Sequence, residues 1–350
     1  MRVPVSLQLA LACGALTFVL TPLARALALR IGAVDEPGPR RIHREPVPTL
    51  GGLAMVAATL AVAWIARLVL EPARLLDARP LIGLTLATLP VVALGIVDDV
   101  RDTSPWVKLA IQACAGMVLV HFGYGVPVLT NPFGAPIQAG VLNGALTVAW
   151  VLIVINAINL IDGLDGLASG TVLIASAAMW WTAHSHSDFY VMFIAALLIG
   201  ATGGFLCWNF PPAKIFMGDT GSHFLGLTLA AVSLLENRKG TAAVTLLFPI
   251  VAMGVPIADS VLAFARRMAR GAPVFRGDTG HIHHRLLRLG LSPKKAVFVL
   301  WTMCAWFAGM AVLLSHLPRT VALIVFAALA IGLFFVFELL ETIERRNDGR

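Results

Sequence analysis

Along this chain, long apolar blocks alternate with short polar breaks, and the blocks have the length a bilayer demands. A helix rises about 1.5 Å per residue, so roughly 20 apolar residues cross a hydrocarbon core of about 30 Å. Windows of this kind fall at 5–28, 50–70, 80–97, 106–122, 139–157, 166–183, 189–207, 220–235, 241–265, 296–316 and 318–340. Several reach only 16–18 residues, so their ends are fixed to within a few positions. The pattern predicts an all-α integral membrane protein of about eleven transmembrane helices. It reads as a single transmembrane domain over 1–350, with one sizeable loop at about 266–295 and no linker, soluble domain or repeat.

Composition agrees. Of the 350 residues, 58% are hydrophobic and 13% charged, and mean hydropathy is +0.85; soluble domains carry about 25% charged residues. Cys13, Cys114, Cys207 and Cys304 lie inside apolar stretches without metal-ligand spacing, which predicts lipid-buried residues and no disulfide framework.

The net charge of +7 is explained by topology rather than by nucleic acid. Eighteen of the Lys and Arg residues fall on the face reached after spans 1, 3, 5, 7, 9 and 11, eight of them in the 266–295 loop. Only Arg2, Arg74, Arg79, Arg238, Lys239 and Arg319 fall on the other. Positive residues stay inside, so the N-terminus is expected outside and the C-terminus in the cytoplasm. Residues 1–30 carry their charge after the apolar run, the wrong flank for a cleaved signal, and are read as span 1.

The acidic residues follow the same face. Of 19, only Glu71, Asp77, Asp188 and Glu236 fall in the outer loops. Six aspartates recur at inner ends of apolar segments: Asp98, Asp99 and Asp102 in GIVDDVRD, Asp162 and Asp165 in NLIDGLDGL, and Asp219 in FMGDTGS. Carboxylates are costly near hydrocarbon, so three clusters at three segment ends predict one shared polar site rather than ordinary helix caps. Hard oxygen donors suit Mg²⁺, with Mn²⁺ as an alternative, and Mg²⁺ commonly works on phosphates.

Each cluster has its own logic. Asp98 and Asp99 are adjacent and repel, which favours either a bound cation or a raised pKa on one of them; Lys108 lies early in span 4. Asp102 either joins the site or pairs with Arg101 or Lys108. Asn156, Asn159, Asp162 and Asp165 step by three, which keeps them on one slowly drifting helix face. Gly163, Gly166 and Gly170 allow close contact or a broken helix beside them. Asp219 reads either as an N-cap or as a metal ligand held at a helix start. In the 266–295 loop, His281, His283, His284 and Arg285 stand among further arginines and suit a diphosphate better than zinc, which lacks a fourth ligand here. Asp259 is expected to pair with Arg266 or Arg267 or to serve the site. His43, with Arg41 nearby, lies in the basic lead-in to span 2.

Together these stretches resemble the polyprenyl-phosphate N-acetylhexosamine-1-phosphate transferases, the WecA/TagO branch related to MraY. The matching segments are DEPGPRRIHREPVPTLGG at 35–52, DDVRD at 98–102, NAINLIDGLDGLASG at 156–170, FMGDTGSHFLG at 216–226 and RGDTGHIHHRLLRLG at 276–290. The resemblance implies transfer of a sugar 1-phosphate from a UDP-sugar, UDP-GlcNAc first, to undecaprenyl phosphate, with release of UMP. It implies a bacterial inner-membrane enzyme whose site faces the cytoplasm and which requires Mg²⁺; a homodimer is a further partner it suggests. By position, Asp219, Asn159 and Asp162 become metal ligands, and Asp98, Asp99, Lys108 and Asp162 catalytic residues. Asn156, Asp165, Arg41, His43, His281, His283, His284 and Arg285 become substrate-binding residues. Arg41 stands where many relatives have lysine. Alternatives are an MraY-like phospho-MurNAc-pentapeptide transferase and, outside enzymes, a cation-coupled transporter. The CDP-alcohol phosphotransferase motif is absent.

Overall fold

The computed structural model describes residues 4–37, 45–70, 77–129, 137–236, 247–269 and 281–348. Helices dominate: α1 (Val5–Ile31), α2 (Gly51–Val69), α3 (Ala78–Val100), α4 (Pro105–His121), α5 (Asn143–Ile161), α6 (Leu167–Ser185), α7 (Phe189–Asn209) and α8 (Gly218–Glu236) come first. They are followed by α9 (Leu247–Ala252), α10 (Gly254–Ala269), α11 (Ile282–Arg288), α12 (Pro293–Ser315) and α13 (Arg319–Asp348). Among the described residues, six helical segments are long and apolar enough to cross a membrane, and two further apolar stretches, Pro105–His121 and Thr320–Val336, are shorter. The all-α membrane class therefore holds.

Local chemistry sets the helix boundaries. Asp77 caps α3 by accepting from the Arg79 amide, and Asp188 caps α7 by accepting from the Tyr190 and Val191 amides. Pro105 and Pro293 open α4 and α12, where a missing N–H costs nothing. The window expected at 241–265 is two helices within its described part. Between them stands Met253, followed by Gly254 and Pro256, and such residues interrupt a helix.

At the centre of the packing is α8, against which α2, α3, α5, α6 and α7 all lie. Phe224, Leu225, Leu227, Leu229, Ala230, Ala231, Val232 and Leu234 along it are fully buried. Outer helices instead present Leu11, Val19, Leu23, Leu68 and Leu89 outward, the arrangement expected where lipid is the solvent. A two-residue antiparallel ladder, β1 (Val34–Asp35) with β2 (Val47–Pro48), ties the end of α1 to the start of α2. A second, β3 (Val128–Leu129) with β4 (Ile137–Gln138), lies between α4 and α5. All four cysteines are free; Cys13 and Cys304 are buried, while Cys114 and Cys207 are exposed on the helix surfaces.

Candidate active site

One end of the bundle opens into a cavity of about 1070 Å³. Its wall comes from the β1–β2 ladder, the end of α3, the α5–α6 turn, the α7–α8 connection and the start of α12. These are the loops that the charge pattern assigns to one face. Asp98, Asp99, Asp102, Asp162, Asp165 and Asp219 all line it, together with Asn159 and His284. The three acidic clusters, distant in sequence, thus share one space.

Lys108 ties two of them together. Its ammonium donates to Asp98 Oδ2 at 2.5 Å and to Asp219 Oδ2 at 2.8 Å. The other Asp98 oxygen, Oδ1, accepts from the Thr103 amide at 2.8 Å and from the Thr103 hydroxyl. Asp219 Oδ1 accepts from Asn159 Nδ2 at 2.9 Å, and His223 Nε2 stands 3.7 Å from Oδ2. From His223 a polar thread runs inward to Gln112 and then to Asn156, whose Nδ2 donates to Gln112 Oε1 at 2.8 Å. Asn156 therefore lies on the expected helix face but one step behind the cavity wall.

Asp99 turns the other way. Its Oδ1 accepts from the Asp219 amide at 2.7 Å, and its Oδ2 accepts from the Thr220 amide at 3.2 Å and the Thr220 hydroxyl at 2.7 Å. The adjacent aspartates of α3 thus serve different neighbours: Asp98 meets a cation and Asp99 meets the first turn of α8.

Past the end of α5 the chain turns through Asp162–Gly166 before α6 begins. Asp165 Oδ2 accepts from the Ala213 amide at 2.8 Å, and Asn209 Oδ1 accepts from the Gly166 amide at 3.0 Å, so both fix the turn to the end of α7. Asp162 differs, since among the described residues its carboxylate has neither a hydrogen-bond nor an ion-pair partner. Burial, then Asp219, Asp99 and Asp165 nearby, push its pKa well above the ordinary carboxylate range.

The histidine segment forms the short helix α11 behind the wall. Only His284 of the group reaches the cavity; His281, His283 and Arg285 are buried. His281 Nδ1 pairs with Asp259 Oδ2 at 2.9 Å, and the Ile282 amide donates to Asp259 Oδ1 at 3.0 Å. That gives Asp259 a partner the arginine-centred expectation did not include. His283 packs against the α5–α6 turn so closely that a Cβ on Gly163 would stand 2.4 Å from its Nε2. Burial pushes His283 down to about 3, with His284 adding to the effect. Arg41 and His43 lie outside the described residues.

A glycosyl transferase family 4 model matches residues 81–237. The chain is 35% identical to a probable undecaprenyl-phosphate N-acetylglucosaminyl 1-phosphate transferase of Bacillus subtilis, over 92% of this chain and 86% of that one. It is 34% identical to a decaprenyl-phosphate N-acetylglucosaminephosphotransferase of Mycobacterium leprae, over 95% and 89% respectively. A phospho-N-acetylmuramoyl-pentapeptide-transferase of Streptococcus mutans is 31% identical, over 83% of this chain and 94% of that one. The chain belongs to the polyprenyl-phosphate aminosugar-1-phosphate transferase family. In this member of the family, the family-model match at 81–237 contains every residue of the Asp98–Lys108–Asn159–Asp162–Asp219 constellation.

Several residues of this candidate site are not singled out by the sequence alone. Thr103 donates to one oxygen of Asp98 and Thr220 to one oxygen of Asp99, and His223 lies one helical turn beyond Asp219. The spacing of four between Asp219 and His223 was a readable signal. So were Gln112 and Asn209, lone amides within or ending apolar helices, where a polar side chain needs a partner.

Proposed function

We propose that this protein transfers N-acetylglucosamine 1-phosphate, or a related N-acetylamino-sugar 1-phosphate, from a UDP-sugar to undecaprenyl phosphate, releasing UMP. The reaction would start a lipid-linked envelope glycan at the cytoplasmic face of a bacterial inner membrane. One observation carries the reading: Asp219 at the start of α8 meets Asn159 of α5 and Lys108 of α4, while Lys108 also holds Asp98 of α3. Two anionic substrates could meet at such a point only if positive charge is supplied there. The names of the Bacillus and Mycobacterium relatives support the same chemistry.

The donor atoms fit a hard divalent ion. Asp219 and Asp162 bring carboxylate oxygens to the cavity wall, and Asn159, whose Nδ2 donates to Asp219 and Ser222, has its carboxamide oxygen as the remaining donor. Among the described residues no three His, Cys, Asp or Glu side chains form a closed metal-binding group. An open set of one or two carboxylates is how Mg²⁺ is commonly held, with water and substrate phosphate completing the shell. When bound, Mg²⁺ would neutralise the diphosphate and improve UMP as a leaving group. Lys108 would supply a positive charge beside the acceptor phosphate, and Asp98, which Lys108 and Thr103 hold at the cavity wall, would accept a proton from it. A phosphate oxygen of the lipid then attacks the β-phosphorus in line.

Purified protein with undecaprenyl phosphate, Mg²⁺ and a panel of UDP-sugars should release UMP with UDP-GlcNAc. Turnover only with the UDP-MurNAc-pentapeptide would instead select the reading suggested by the Streptococcus relative. A cation-coupled transporter would place its polar residues near mid-span; Asp98, Asp99, Asp162 and Asp219 lie at helix ends.

A further inference from the structure

We propose that Asp99 is a positioning residue: it holds the first turn of α8 and so sets where the Asp219 carboxylate stands. This rests on the transferase reading above, and it separates two adjacent aspartates that sequence alone treats as a pair. Both Asp99 oxygens are engaged by α8, through the amides of Asp219 and Thr220 and the Thr220 hydroxyl. A helix start has amides without intrahelical acceptors, and here the acceptor comes from another helix in place of a local cap. The negative charge also meets the positive end of the α8 dipole.

The surrounding backbone leaves little freedom for another arrangement. Gly218 has φ +69, and a Cβ there would stand 2.4 Å from either Asp99 carboxylate oxygen. One turn before Asp99, a Cβ on Gly95 would stand 2.4 Å from Thr220 Cα. From the opposite side the amides of Gly51 and Gly52 donate to the carbonyls of Phe216 and Met217 at 2.9 and 3.0 Å. The segment carrying Asp219 is therefore clamped between the start of α2 and the end of α3. Asp99 is the side chain in that clamp, and Asp219 is the residue through which it acts.

The test uses full-length protein in detergent, with UDP-GlcNAc, undecaprenyl phosphate and Mg²⁺. Asp99→Asn and Thr220→Ala should each lower kcat roughly 5- to 30-fold, the scale of a lost helix cap. The double variant should be no slower than Asp99→Asn alone, because both changes remove one interaction. Thr220→Ser, which keeps the hydroxyl, should restore near-parental turnover, and the acid limb of the pH–rate profile should stay in place in every variant. Amide exchange at residues 218–222 should accelerate in Asp99→Asn and Thr220→Ala. Wild-type-like turnover in Thr220→Ala beside an inactive Asp99→Asn, strictly multiplicative losses, or a displaced acid limb would each overturn the assignment. Should the parent protein release no UMP from any donor, the transferase reading fails, and amide exchange still decides the clamp: unchanged rates in both variants sink it, faster rates uphold it.

Discussion

The knot at α3, α4 and α8 and the turn between α5 and α6 are both acidic, yet they treat their carboxylates in opposite ways. In the knot, every oxygen of Asp98, Asp99 and Asp219 is met by an amide, a hydroxyl or an ammonium. At the turn, Asp165 is tied to the Ala213 amide, while Asp162 faces the same cavity with no partner among the described residues. A carboxylate whose oxygens are all met is fixed in position before anything binds; one without a partner in a partly desolvated site is held ready for something that arrives. The acids that define the cavity and the acid left free within it are thus different residues.

The largest effects should come from removing the acids that face the arriving groups. Asp219→Ala should lower turnover by about 10³-fold or more, since it removes an electrostatic group and the anchor of Lys108 and Asn159 together; activity within ten-fold of the parent would break the assignment. Asp162→Asn should cost about 10²- to 10³-fold in kcat and yet stabilise the protein in EDTA. The reason is sign. Asp162 has its folded pKa raised by burial and by Asp219, Asp99 and Asp165, so the folded state loses stability as pH rises above the ordinary carboxylate range. An amide removes that repulsion. Thermal unfolding in EDTA at pH 7.5 should show the variant melting a few degrees higher, about 2–4 °C for each kcal/mol recovered. Added Mg²⁺ should raise the midpoint of the parent more than that of the variant. A variant that melts lower in EDTA would show that Asp162 has a stabilising partner.

Next in size is Lys108→Met, which leaves Asp98 and Asp219 facing each other without their shared cation. Turnover should fall about 10- to 100-fold, with a lower melting midpoint that Mg²⁺ partly restores. Lys108→Arg should not recover activity, because a planar fork does not reproduce a point charge held between two single oxygens. Full recovery by arginine would mean that net charge alone is what the knot requires.

The sequence made much of this legible, for a physical reason. Lipid leaves no cheap position for a carboxylate, so acids at the ends of apolar blocks advertise a polar site, and Asp98, Asp99, Asp162, Asp165 and Asp219 all reach the cavity. The apolar blocks likewise located the helices. What stayed hidden depended on direction. Adjacency in α3 could not reveal that Asp98 turns to Lys108, ten positions on, and Asp99 to α8, 120 positions on, because neighbouring helical residues point about 100° apart and only the packed bundle brings α8 to Asp99. The three-residue ladder from Asn156 to Asp165 was half right. It stays on one face through Asn159, but the helix ends at Ile161, and Asp162 and Asp165 belong to the turn. Nor could the His-X-His-His pattern show that α11 stands behind the wall with one histidine forward. Burial is a property of the packed bundle and not of the motif.

The smallest expected effect tests that last distinction. His283 is buried, and its Nδ1 has no hydrogen-bond partner among the described residues. Burial holds it down at about 3 from an ordinary value of 6.5, so the folded protein keeps it neutral while the unfolded chain protonates it in mildly acidic solution. For a depressed base the unfolded state binds more protons, and stability is lost as pH falls below 6.5 toward 3. His283→Gln removes the titration but keeps a polar side chain of similar reach beside Gly163. Its melting midpoint should therefore decline less steeply than the parent's between pH 6.5 and pH 4.5, a range below the unperturbed histidine pKa of about 6.5, with turnover at pH 7.5 changed only a few-fold. A loss as deep as that of Asp162→Asn would place His283 at the reacting groups, and the contrast between a forward His284 and a buried His283 would have to be abandoned.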